Sequence, residues 1–363
     1  MKGISRVVTA IVIIVIVVIA AGGYLYYTSL QSATTPSAQV VKIALLLPGE
    51  KNDLSWNQAA YEALVGMAQP LNQTGKTVVI SVAEGMATPN DILPAMTAYA
   101  QQNYNFIIGD GYQNQVPASQ IDASYPNTGF LIATGWQTSP NQALLNYRGD
   151  EIGFLMGVMS SLLTKSGKVA IISGENVGGA IWVDKGFLLG VQYVNQNFGK
   201  NIAVINTFVG NFNDPVGAQT ATVSAIKQGA DVVWSAGDGI TEGVAAGTRQ
   251  YNVAFMYNEF DQTSLAPDNT YGGVTFSFAP VLKQALFDWL TNRTFQATRT
   301  YWATFQNGGL TLKMGSKVPS SVVSVMNVIY PSVVSGKIEV YHLLSNGTLQ
   351  YNPVTPAYSS LQG

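Results

Sequence analysis

From Val40 onward, short runs rich in Val, Ile and Phe alternate with longer amphipathic stretches, and this alternation constrains the fold more than any other feature. Short apolar runs bounded by Gly, Asn and Asp read as strands buried on both faces, the pattern of parallel sheets covered by helices. The expected strands are Val41–Leu47, Val78–Val82, Phe106–Gly109, Phe130–Ala133, Val169–Ile172, Ala203–Phe208, Asp231–Ser235 and Val253–Tyr257. The expected helices are Ser55–Ala68, Pro89–Gln102, Glu151–Leu163, Asp184–Phe198, Pro215–Gln228, Thr241–Gln250 and Val281–Thr291. One helix start is explicit: Asp214 as cap, then Pro215 at the first helical position. The pattern falls into two similar halves, meeting near Arg148 and Gly149. The expectation is an α/β chain of two lobes, each a doubly wound parallel sheet.

Composition removes several function classes. The 363 residues suffice for two cored lobes. A formal net charge of −2 gives no electrostatic footprint for nucleic acid. There is no Cys, which excludes disulfides and thiol chemistry, and the single His, His342, argues against His-based catalysis or a His metal cluster. Neither half carries a GxGxxG or a P-loop after its first strand, so a dinucleotide or nucleoside triphosphate is unsupported. No cofactor and no metal is expected.

The N-terminus carries a different signal. Val7 to Tyr27 is uncharged and long enough to cross a bilayer, which takes about 20 apolar residues. Lys2 and Arg6 precede it, so the positive-inside rule places the globular part outside. The apolar run exceeds the roughly 7–15 residues of a cleaved secretory signal, so a retained anchor is expected. The opening "MKGIS" is similar to a prepilin-type signal cut after Gly3, which would leave the apolar helix in place. Thr28 to Gln39 reads as a Ser/Thr linker too polar to fold. The N-x-S/T triplets at Asn72, Asn292 and Asn346 fit an external face.

In open α/β sheets, ligands bind beyond the carboxyl ends of the strands. Those ends carry Asn52, Asp53, Trp56 and Asn57; Asp110 and Tyr112; Thr134 and Trp136; Glu175 and Trp182; Asn211, Phe212 and Asp214; Gly237 and Asp238; and Asn258, Glu259 and Asp261. Aromatic faces stack on flat rings, amides and carboxylates pair with sugar hydroxyls and base edges, and glycines let backbone approach closely. No Arg/Lys cluster is present to hold phosphate. The set describes a pocket for a small, uncharged, hydrogen-bond-rich molecule with a planar part.

The stretch "NDLSWNQAAYEAL" (52–64) resembles the N-terminal motif of the basic membrane protein (Bmp) family of solute-binding proteins. Further segments resemble the family in order: "DEIGFLMGVMSSLLTKSGKVAIISG", "VDKGFLLGVQYVN", "FNDPVGAQTATVSAIKQGADVVWSAGDG", "FDQ" and "SGKIEV", the last as a closing strand at 335–340. The resemblance implies a two-lobed type I periplasmic-binding-protein fold with three interlobe crossings. The implied division is an anchor and linker at 1–39, an N-terminal lobe of 40–148 with about 276–308, a C-terminal lobe of 149–275 with about 309–340, and a tail at 341–363. It also implies delivery of a purine nucleoside to an ABC importer, with Trp56 and Phe212 sandwiching the base. Asn52 and Asp53 would meet the base edge, Glu259 the ribose hydroxyls, and the Gly237–Gly239 loop the sugar. Asn57, Asp110, Asp238 and Trp182 complete the candidate set. A Lys that the family places on the sugar has no counterpart here; Pro280 stands near that position and Lys283 lies one turn along.

Several residues admit a plainer reading. Trp56 is either a core lid or a ligand platform, Phe212 either a staple or a ligand contact, and Asp53 either a ligand contact or a cap for its helix. Three other functions fit less well: a nucleoside or sugar hydrolase using Asp53, Glu84, Asp110, Glu175, Asp238 or Glu259, a binding receptor for another small neutral solute, and a sensing receptor without transport. The expectation is a monomeric, membrane-anchored binding protein facing outward, with an ABC permease as partner.

Overall fold

The computed structural model describes residues 39–72, 75–343, 349–352 and 356–361. The expected anchor at 7–27, most of the linker, the "MKGIS" signal and Asn346 lie outside the described residues.

The first half runs β1 (Gln39–Leu46), α1 (Trp56–Asn72), β2 (Lys76–Ala83), α2 (Pro89–Gln101), β3 (Phe106–Gly109), α3 (Gln115–Ile121), β4 (Gly129–Ala133) and β5 (Gln142–Tyr147). The second runs α4 (Gly149–Leu163), β6 (Lys168–Ser173), α5 (Ala180–Phe198), β7 (Ala203–Phe208), α6 (Pro215–Lys227), β8 (Val232–Ala236), α7 (Thr241–Tyr251), β9 (Ala254–Tyr257) and β10 (Thr270–Phe276). Then follow α8 (Ala279–Asn292), β11 (Thr300–Ala303), β12 (Leu310–Met314), α9 (Ser320–Val334) and a hairpin of β13 (Tyr341–Leu343) and β14 (Leu349–Tyr351).

One six-stranded sheet has the order β11-β5-β4-β3-β1-β2, the other β12-β10-β9-β8-β6-β7. The first is parallel throughout. The second is parallel except for β12, which runs antiparallel to β10. The two orders correspond strand for strand from β1–β5 to β6–β10, so the molecule is an internal repeat. The chain passes between the sheets after β5, after β10 and after β11.

Period-2 alternation explains the layers. Ile43 and Leu45 of β1 face the large cluster that runs through both lobes, while Ala44 and Leu46 face a second cluster with Ile92, Met96 and Phe130. Helices α4 and α5 meet backbone to backbone. A methyl added at Gly153 would lie 2.0 Å from the Val183 carbonyl oxygen, and one at Gly186 would lie 2.3 Å from that of Asp150. Gly149, Gly153 and Gly157 recur every fourth residue and so share one face of α4. This contact ties the helix that follows the first crossing to the helix whose N-terminus reaches the space between the sheets.

The structure corrects one expected element. Residues 335–340 are turn and bend, not a closing strand. Gly336, at φ 74°, ends α9, and Ile338 and Val340 are buried as the chain turns back; the strand begins only at Tyr341. Helix α9 itself is rich in Val and Ile, which lower helix propensity. Burial of Val322, Met326, Ile329 and Val333 at helical spacing holds it as a helix.

Candidate ligand-binding cleft

A cleft of about 290 Å³ lies between the carboxyl ends of the two sheets. From the first lobe it is lined by Pro48, Trp56, Tyr112, Thr134 and Tyr147, and from the second by Glu175, Phe212, Asp238, Asn258 and Glu259, among others. No Lys, Arg or His is among its lining residues.

Trp56 is the first residue of α1 and is 8% exposed. Its ring stands edge-on to Tyr147 at 5.7 Å, Phe276 at 6.0 Å and Phe278 at 4.8 Å. Tyr147 ends β5 and Phe276 and Phe278 bracket the passage after β10, so two interlobe crossings pack on one indole. The plain and the functional readings of Trp56 therefore coexist: it is core on one side and cleft wall on the other. Phe212 is half-buried and rests on Gly174, where a Cβ would fall 2.2 Å from its ring.

The carboxylates divide by what they touch. Asp53 accepts from the Ser55 and Gln58 backbone N–H groups and from Asn57 Nδ2 at 2.6 Å, which makes it a cap of α1. Asn52 is exposed and outside the cleft lining. Asn57 is buried; its Oδ1 accepts from Gly49 N, and its Nδ2 also reaches Asp238 Oδ2 at 3.4 Å across the lobes. Ser55 Oγ donates to Glu259 Oε2 at 2.7 Å, again across the lobes. Burial pushes the Glu259 carboxyl up to about 7, against the Ser55 hydrogen bond and with the Asp53 charge adding to the rise. Asp238 is raised well above the carboxylate range by burial, then by Glu259 and Asp53. Asp110 lies buried beside the Trp56 indole and is raised by burial, then by Asp53 and Glu259. Among the described residues, Asp238 Oδ1 and Asn258 Oδ1 are buried without a partner, so two cleft-lining polar atoms are open to a ligand, the Asn258 oxygen as an acceptor and the protonated Asp238 carboxyl as a donor.

Of the other candidates, Gly237 lies between the lining residues Ala236 and Asp238 without lining the cleft itself. Trp182 packs on Tyr341 of the C-terminal hairpin at 5.1 Å, with Lys185 Nζ over its ring, and is not in the lining. Lys283 is exposed on α8. Tyr147 carries no mark in the sequence because β5 carries none; recognising that strand would place it at a strand end. Leu54 (φ 55°), Thr134 (φ 53°) and Glu259 (φ 77°) hold left-handed backbone at or beside the cleft, where strain of this kind concentrates.

The match to known proteins agrees with this architecture. Residues 40–343 match the Bmp family, described as ABC transporter substrate-binding protein PnrA-like. The chain is 23% identical over 332 residues to basic membrane protein D of Borreliella burgdorferi, covering 87% of this chain and 92% of that one. It is 22% identical over 305 residues to a purine-binding protein of Brucella abortus, covering 83% of each. It also resembles a transcriptional activator of Bacillus subtilis, 25% identical over 203 residues, 55% of this chain and 60% of that one. Among solved structures, an ABC transporter solute-binding protein from Aeropyrum pernix superimposes with a TM-score of 0.70 at 17% identity, covering 88% of this chain and 96% of that one. With a family match spanning most of its length, the chain belongs to the Bmp family of ABC transporter substrate-binding proteins.

Proposed function

We propose that this protein captures a nucleoside, with a purine base, between two closing lobes and delivers it to an ABC importer. The observation that carries the reading is the cleft itself, to which the first lobe contributes Trp56 and the second Phe212, with no cation in the lining. Two rings from opposite lobes suit a flat base, and the unpartnered Asn258 oxygen and Asp238 carboxyl suit the hydrogen-bonding groups of a base edge or sugar. The purine-binding relative supports the same class. Ligand contacts to both lobes would favour the closed state. The lobes are taken as 40–148 with about 276–308 and 149–275 with about 309–340, and residues 7–27 as an anchor that keeps a monomeric globular part outside the membrane.

A thermal-shift panel on the full chain in detergent tests this. Inosine, adenosine or guanosine should raise Tm by mass action, while ribose, glucose and leucine should not. A shift with sugars or amino acids alone overturns the nucleoside reading. Incubation with inosine should release no free base; release would favour a hydrolase.

A further inference from the structure

We propose that Tyr112 and Glu175 form a strap across the cleft that sets how long a captured solute stays rather than which solute is captured. This rests on reading the cleft as the ligand site. Tyr112 follows β3 of the first sheet and Glu175 follows β6 of the second. The Tyr112 hydroxyl donates to Glu175 Oε2 at 3.2 Å, and both side chains line the cleft. Burial and then the Glu175 charge hold the phenol protonated, so it remains a donor.

The internal repeat gives this bond a counterpart. β3 and β8 occupy equivalent places in their sheets, as do β1 and β6. Tyr112 to Glu175 joins the loop after β3 to the loop after β6; Asn57 to Asp238 joins the first turn of α1, the helix that follows β1, to the loop after β8. Exchanging the lobes exchanges the strands that the two bridges follow, although Asn57 stands in the first turn of a helix and Glu175 in the loop before one. Their settings differ: Asn57 and Asp238 are 1% and 7% exposed, whereas Tyr112 and Glu175 are both half-buried. The inner bridge belongs to a buried carboxyl cluster with Ser55 and Glu259, so breaking it means parting the lobes. The outer bridge is a single hydrogen bond at the solvent side.

The loop that carries Glu175 lies on the rim of the first lobe. A Cβ on Gly178, at φ 51°, would sit 3.7 Å from Tyr112 Cβ and from Thr134 Oγ1. When the bond is made, this loop covers the cleft; when it breaks, the glycines at 174, 178 and 179 allow the loop to lift. A bond made whenever the lobes close, with or without solute, slows departure far more than encounter and adds to the closed fraction of the empty protein, so its loss appears in the dissociation rate and in the mean interlobe distance.

The test is stopped-flow displacement of inosine from the full chain, read by Trp fluorescence. Tyr112→Phe and Glu175→Ala should each raise the dissociation rate about fivefold, as expected for the net contribution of one half-buried hydrogen bond. Association should stay within about twofold. The double variant should be no faster than either single, because one bond is lost in each. Glu175→Gln keeps an acceptor oxygen and should restore most of the wild-type rate. An unchanged rate in Tyr112→Phe, or multiplicative effects in the double variant, would overturn the strap. A second measurement needs no solute. The chain has no native Cys, so dyes on Val79→Cys and Lys227→Cys report the interlobe distance directly. Tyr112→Phe should lengthen its mean, and an unchanged distance refutes the strap. Failure of wild-type protein to bind inosine would instead count against the nucleoside reading, and the dye distance would still decide the strap.

Discussion

Trp56 and Phe212 line one cleft from opposite lobes, yet they are held in different ways. Trp56 is boxed by Tyr147, Phe276 and Phe278, residues at two of the interlobe crossings. Phe212 is half-buried, sits on a glycine and is flanked by exposed Asn211 and Asn213. The first wall is packed on the interlobe crossings; the second is an open platform. On the proposed reading, a solute pressing on Trp56 would press on the crossings, so the first lobe would both hold the ligand and sense it. The sharpest way to break this comparison is to remove each ring. Trp56→Ala should cost about 3–5 kcal/mol of stability, as other buried Trp truncations do, and abolish detectable nucleoside binding. Phe212→Ala should weaken binding by about 1–3 kcal/mol, one stacking contact, with little change in Tm. Calorimetry and thermal melts on both variants check the contrast, and equal losses of Tm would end it.

The platform can also be tilted without being removed. Gly174→Ala places a methyl 2.2 Å from the Phe212 ring, so the ring must move. Binding should weaken about tenfold or less, within the cost of overpacking a contact, while the Trp56 box is untouched. An unchanged affinity would mean that the position of Phe212 is irrelevant to capture.

The lobes also differ in their acids, and the difference predicts a pH dependence. Glu259 and Asp238 come from the second lobe and Asp110 from the first, and all three are raised by burial. A carboxyl with a raised pKa keeps its proton in the folded chain after the unfolded chain has lost it. Unfolding then releases protons, and stability falls as pH rises. For Glu259 the window opens at its ordinary value of 4.5 and extends through about 7. Asp231, whose pKa is lowered because its hydrogen bonds outweigh burial, acts at more acidic pH and in the opposite sense. Ligand-free protein should melt a few degrees lower at pH 8 than at pH 5.5, and Glu259→Gln should flatten part of that slope. A Tm that rises across this range would refute the protonated cluster.

Much of the scaffold was legible because parallel strands must be apolar along their length. β3 and β7 match their expected bounds, and β1 and β4 fall within a residue or two. β5 escaped because Gln142 and Asn146 interrupt its apolar run, although Gln142 is fully buried and donates its amide N–H to the Gln137 carbonyl. α9 escaped because tertiary burial overrides the low helix propensity of its Val and Ile residues. At the cleft, the strand-end rule and the family resemblance marked both rings. They did not reveal who would meet whom. Ser55 and Glu259 are 204 residues apart and Tyr112 and Glu175 are 63 apart, and each pair meets only when two lobes come together. Local sequence patterns carry no record of such encounters.

The smallest expected effect decides between two readings of one acid. By resemblance Asp53 would meet the base edge; by its hydrogen bonds it caps α1, with Oδ1 taken by Ser55 N and Gln58 N and Oδ2 by the Asn57 amide. Asp238, which lines the cleft from the second lobe, keeps Oδ1 without a partner among the described residues. An acid whose oxygens are all engaged has little left to offer a solute, whereas an acid with an open oxygen gains by binding one. Asp53→Ala should therefore cost about 1 kcal/mol of stability, the usual loss for a helix cap. Nucleoside affinity should stay within about threefold, since that cost is shared by free and bound protein. Melts and calorimetry on the same preparation separate the outcomes. An affinity loss beyond tenfold with Tm unchanged would return Asp53 to the base edge and make it, like Asp238, an acid that meets the solute.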